Sequence, residues 1–215
     1  MGKAQLAMWT LTKMAMLFFI IALCLIIMSF AGREKQALCI NRAQAVATGL
    51  GSAIAQVVNS PLEDERIVYP LEAVLTVGKA DYERYLINIT IHDDDPQNPF
   101  FVIDVATTSP GCSSGTRVGY PPALTIAFIP PEIDIPVGAE TFKGRTLTPS
   151  KPDPPLEPET QRSRYVTIVR CQSKKWTPGG PTRKLFIQDC KHANPAECLN
   201  FYDDPSGAKE ACEWT

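Results

Sequence analysis

The chain is expected to be an α+β protein. A long N-terminal helix, membrane-spanning in one half and amphipathic in the other, packs on an antiparallel β-rich head closed by disulfides. Three observations predict this. No charge occurs between Lys13 and Arg33. Beyond that run, apolar residues recur at steps of mostly three and four as far as Val58. Past Pro61 the period falls to two, and the 19 Pro and 13 Gly, mostly in the second half, cut the chain into short strands.

The uncharged run, Met14 to Gly32, is nineteen residues long. As a helix it covers about 28 Å, close to the hydrocarbon thickness of a bilayer. Its core, MLFFIIALCLIIM, holds neither Pro nor Gly, and Lys3 and Lys13 supply a positive flank. Ser29-Phe30-Ala31 is a small-x-small sequence that a signal peptidase accepts. Two features favour a retained anchor instead. The run exceeds the roughly 7–15 residues of a signal core, and the chain beyond it keeps a helical period. Leu38, Ala43, Val46, Ala47, Leu50, Ile54, Val57 and Val58 form one stripe, and Asn59-Ser60-Pro61 stops it. One helix from about Trp9 to about Val58 is therefore expected. Leu23 before Cys24 does not suit lipoprotein processing, and Leu6 stands where N-myristoylation wants Ser or Thr.

Strands are expected at Leu71–Val77, Tyr82–His92, Phe100–Ala106, Ala123–Phe128, Ile133–Val137, Arg164–Cys171 and Lys184–Cys190. In the second of these, Tyr85, Ile87, Ile89 and Ile91 alternate against Arg84, Asn88 and Thr90. The polar turn DDDPQNP joins it to the third as a hairpin. The Pro-rich segment 147–159 reads as an extended surface loop. The resulting plan is a basic leader at 1–13, a transmembrane segment at 14–32, an amphipathic helix at 33–60 and an extracytoplasmic head at 61–215.

Of the seven Cys, Cys24 lies in the apolar run and counts as a small hydrophobe. Six remain: Cys39, Cys112, Cys171, Cys190, Cys198 and Cys212. An even set without a CxxC pair reads as disulfides in an oxidising compartment. The C-terminal four are expected to pair among themselves, leaving Cys39 for Cys112. Positive charges flank the apolar run on both sides, so the cysteines decide orientation, with the head outside. Asn88-Ile89-Thr90 is a glycosylation sequon, which makes Asn88 a candidate acceptor.

Chemistry is thinly supplied. The net charge of −2 argues for no nucleic-acid partner. There is no GxSxG, GxGxxG or HExxH. His92-Asp93-Asp94-Asp95 with Asn98 has oxygens for a hard cation, but a solvated turn is the simpler reading. The same holds for Asp203–Gly207. Cys190, His192 and Cys198 lack a fourth zinc ligand, and disulfides account for the sulfurs. No catalytic residue, metal or cofactor is expected. The stretch Ala43–Ala55 is dense in small residues, which let a second backbone approach, either the chain's own sheet or a neighbouring copy.

The order of MGKAQLAMWTLTK, the apolar run, the stripe Leu38 to Val58 and the later strands resembles type IV pilins and their archaeal relatives. Gly2-Lys3-Ala4-Gln5-Leu6 is similar to the Lys-Gly-Gln leader of archaeal class III signal peptides, although no Gly precedes the cut and Trp9 stands where bacterial pilins carry Glu. The resemblance implies a non-enzymatic, membrane-anchored cell-surface protein, structural or adhesive. Its partners would be membrane lipid and, through the helix, copies of itself or pilin-like subunits in a filament. A single-pass ligand-binding or sensor ectodomain that forms no filament is the alternative.

Overall fold

The computed structural model describes residues 3–62, 64–79, 82–108, 111–129, 131–150, 162–172 and 183–199. Two compact units are present, Met1–Leu38 and Cys39–Thr215. Helix α1, Lys3–Asn59, contributes residues to both. It starts earlier than the expected Trp9 and ends one residue past the expected Val58.

In the first unit the helix buries nothing large among the described side chains, which begin at Met8. Phe18 and Phe19 are 66% and 68% exposed, and the apolar side chains from Met14 to Phe30 lie similarly open. By length and composition the helix is able to cross a membrane. A helix meets all its interior backbone hydrogen bonds within itself, which is the condition for lying in lipid. Gly32 sits inside it, and a Cβ added there would meet nothing within 4 Å. Gly32→Ala is therefore expected to be neutral or to stabilise the helix by up to about 1 kcal/mol. Gly32→Pro should cost about 3 kcal/mol or more, because it removes a backbone hydrogen bond. Far-UV circular dichroism of the three proteins during heating in detergent micelles checks both outcomes.

In the second unit, the helix buries Cys39, Ala43, Ala47, Leu50, Ile54 and Val57. Steps of four and three put them on one face. Leu38, expected in this stripe, is instead 47% exposed, and Cys39 opens the buried row. The small residues serve the chain's own sheet. A Cβ on Gly51 would come 3.0 Å from Thr116 and 3.1 Å from Val118, and one on Gly49 would collide with the Tyr69 hydroxyl. Ala45, Thr48 and Ser52 remain exposed.

The strands are β1 Glu65–Pro70, β2 Leu75–Thr76, β3 Tyr82–Glu83, β4 Tyr85–His92, β5 Phe100–Thr107 and β6 Ser113–Gly119. Then come β7 Leu124–Ile129, β8 Ile133–Val137, β9 Glu140–Leu147, β10 Tyr165–Gln172 and β11 Arg183–Cys190. A five-stranded sheet runs β6-β5-β4-β9-β8, a four-stranded sheet runs β1-β10-β11-β7, and β2 pairs β3. The expected β4–β5 hairpin forms, with Ile87 opposite Val105 and Ile89 opposite Ile103. These residues join the helix stripe, Tyr85, Phe101, Val166, Ile168, Leu185 and Ile187 in the main core. The four-stranded sheet is covered on its other face too, where Ile129, Val169, Cys171 and Phe186 form a second cluster.

The strand pattern differs from expectation in several places. Leu71–Val77 is not one strand; only Leu75–Thr76 is paired. Side chains replace the ladder before it. Tyr85 Oη donates to the Glu72 carbonyl at 2.8 Å, and Ser150 Oγ to that of Ala73 at 2.5 Å. Tyr82–His92 breaks at Arg84, whose carbonyl accepts from the Thr108 amide at 2.8 Å. Strands β1, β6 and β9 were not expected. One pairing, β7 with β11, is parallel.

Cys39 bonds Cys112 across 73 residues, with Cα atoms 5.9 Å apart, tying the helix stripe to the segment before β6. Cys190 bonds Cys198 across 8 residues. Cys171 is disulfide-bonded as well. Cys212, the turn Asp203–Gly207 and most of the Pro-rich loop lie outside the described residues.

Candidate functional site

The second unit carries a cleft of about 700 Å³ lined by residues of β7, of the end of β4 and of the start of β9, with Tyr120 and Glu132. Strand β7 is an edge of the four-stranded sheet and β8 an edge of the five-stranded one, and residues 130–132 connect them in sequence. Leu124, Thr125 and Ile126 of β7 form one wall. Asp93 and Asp94 follow β4, Glu132 precedes β8 and Glu140 opens β9, so four carboxylates line the same space. Lys143 is the cation among the lining residues, and its Nζ lies 2.5 Å from Asp134 Oδ1, which raises the ammonium pKa. Tyr120 lines the cleft as well. Burial, then the charge of Asp93, pushes its phenol up to about 12, so it stays a neutral donor at physiological pH.

Of the motifs singled out in the sequence, His92–Asp95 borders this cleft, and neither it nor the Cys190, His192 and Cys198 set has metal-binding geometry. His92 stacks on Phe100 with centroids 4.9 Å apart, and its Nε2 is 3.1 Å from Thr90 Oγ1. Asp95 accepts from Asn98 Nδ2 and from the Gln97 amide, each at 3.0 Å, and these bonds hold its carboxyl below the usual range. The motif is thus a side-chain-closed hairpin turn. The sulfurs of Cys190 and Cys198 are bonded to each other, and His192 Nδ1 pairs with Glu197 at 3.1 Å. Among the described residues no group of three or more His, Cys, Asp or Glu is placed to hold a metal.

Asn88, the candidate glycosylation acceptor, lies on β4, the central strand of its sheet. It is half-buried, and its Oδ1 accepts from Thr146 Oγ1 at 2.8 Å. Sequence reasoning missed the cleft because its parts come from five separate stretches, and only DDD stands out as a cluster. It also missed Arg170, 3% exposed on β10. The Arg170 guanidinium donates to the carbonyls of Val58 at 2.8 Å, Ser60 at 2.7 Å and Leu62. It closes the C-terminal end of α1, whose last turn has no basic residue of its own.

Comparison with protein-family models, with curated proteins and with solved structures gives no match to this chain.

Proposed function

We propose that this chain is a membrane-anchored, pilin-like cell-surface protein with a structural or adhesive role and no catalytic one. The observation that carries the reading is the exposed apolar run Met14–Phe30 in a helix whose later residues form the core of a β head. Water would oppose so much open apolar surface, whereas lipid or the helices of like subunits would cover it. The disulfides support an oxidising site for the head. The helix then passes once through the membrane, and its partners are lipid and copies of itself or pilin-like subunits.

The test has two parts. Alkaline extraction of cell membranes should leave the protein in the pellet. Electron microscopy of the cell surface with antibody against the head should label filaments. The cleft beside β7 favours a second reading, an anchored ligand-binding ectodomain without filaments. That reading predicts membrane retention, no labelled filaments and a monodisperse small oligomer in detergent. Release of the full chain into the soluble fraction contradicts both.

A further inference from the structure

We infer that the cleft beside β7 is a docking groove for an extended, basic peptide, which adds to the open edge of β7 as a further strand. The inference goes beyond the anchoring proposal and does not depend on it.

The first support is the edge itself. Among the described residues β7 is hydrogen-bonded to one strand only, β11. An edge strand turns the N–H and C=O groups of alternate residues outward, a ready template for another chain. The cleft meets β7 along this edge. Leu124, Thr125 and Ile126 are consecutive, and side chains alternate between faces along a strand. Three neighbours lining one space place that space beside the strand rather than over one face. The three residues of β7 that line the cleft offer about 10 Å of template.

The second support is charge. Asp93, Asp94, Glu132 and Glu140 line the groove, and its one lysine is engaged by Asp134. A neutral or acidic strand would bring no counter-charge to these carboxylates. A strand with Lys or Arg at every second position would set its cations toward them, while its backbone bonds β7. The backbone supplies affinity and the charges supply selectivity and rate. The groove is exposed at Glu132 and Glu140, so it needs no rearrangement to open.

The test uses the full chain in detergent micelles and a fluorescent hexapeptide alternating lysine and valine, read by polarisation. Four comparisons are made: a glutamate–valine hexapeptide, two lysine–valine hexapeptides N-methylated at alternate residues in the two opposite registers, and the variant Glu132→Gln/Glu140→Gln. Both substituted side chains are exposed, and an unchanged melting curve verifies the fold of the variant. The expected result is saturable binding of the lysine–valine peptide and of the register methylated away from β7, and none of the glutamate–valine peptide, whose equal binding would overturn the basic occupant. The variant should weaken lysine–valine binding roughly tenfold, and N-methylation of the face that bonds β7 should abolish it. Absence of binding overturns the inference. Equal binding of both N-methylated registers overturns strand addition, and unchanged affinity of the variant overturns the assignment to this groove.

Discussion

Arg170→Met is expected to destabilise the β unit by about 3 kcal/mol. The buried guanidinium serves three carbonyls at and just past the end of α1. Two effects are lost together. One is the set of charge-assisted bonds, each worth roughly 1.5–3 kcal/mol. The other is a positive charge at the helix C-terminus, worth up to about 2 kcal/mol when partly buried. Met recovers part of this by filling the space, so the net figure lies below the sum. Arg170→Lys keeps the charge but not the planar fork that reaches several oxygens, and should fall between the two. Urea unfolding in micelles, followed by far-UV circular dichroism, measures the order. A loss below about 1 kcal/mol for Met would show that water replaces the guanidinium without cost.

Removing the Cys39–Cys112 bridge with a Cys39→Ala/Cys112→Ala variant should have the larger effect, about 4 kcal/mol. The bridge closes a loop with a sequence separation of 73, and the chain-entropy cost scales with the logarithm of that length. Its Cα separation of 5.9 Å lies within the ordinary range. The Cys190–Cys198 bridge, with a separation of 8, should be worth about 2.5 kcal/mol on the same scale. The order of the two variants in urea midpoint is the decisive comparison. A larger loss for the short loop would show that local packing, and not loop closure, sets these values.

What could be read from the sequence follows from how local each signal is. The β4–β5 hairpin was legible because YLINITIH alternates and FFVIDVA is a short, nearly continuous apolar run on the other side of a polar turn. The helix stripe was legible to within one residue, since Leu38 and Cys39 are both apolar and only packing chooses between them. Strands β6 and β9 were hidden. SSGTRVG and ETFKGRTL have few large apolar residues, and Gly115 and Gly144 in them serve close approach. Gly144 is an example, where a Cβ would come 3.0 Å from Thr90 Cα. Strand β1, ERIVYP, ends in Pro and lies on a sheet edge, where Pro is tolerated. The parallel β7–β11 pairing joins stretches almost sixty residues apart, which no local pattern encodes.

The candidate site was less legible for the same reason. Asp93 and Asp94 read as part of a turn, and they lie in the connection between β4 and β5. Their role in the cleft depends on Glu132, Glu140 and β7 arriving from elsewhere in the chain. Arg170 likewise reads as a strand residue and acts on a helix end 112 positions earlier.

The central claim is that the apolar run and the amphipathic stripe stay together in the mature protein as one helix. N-terminal sequencing of the protein recovered from cells, with its intact mass, tests this most directly. The account predicts membrane-bound protein that begins ahead of Met14, at the initiator region or near Gln5, so that all of Met14–Gly32 is retained. Soluble protein that begins at Gly32 would contradict it, because the run would then be a signal peptide and the head would have no anchor.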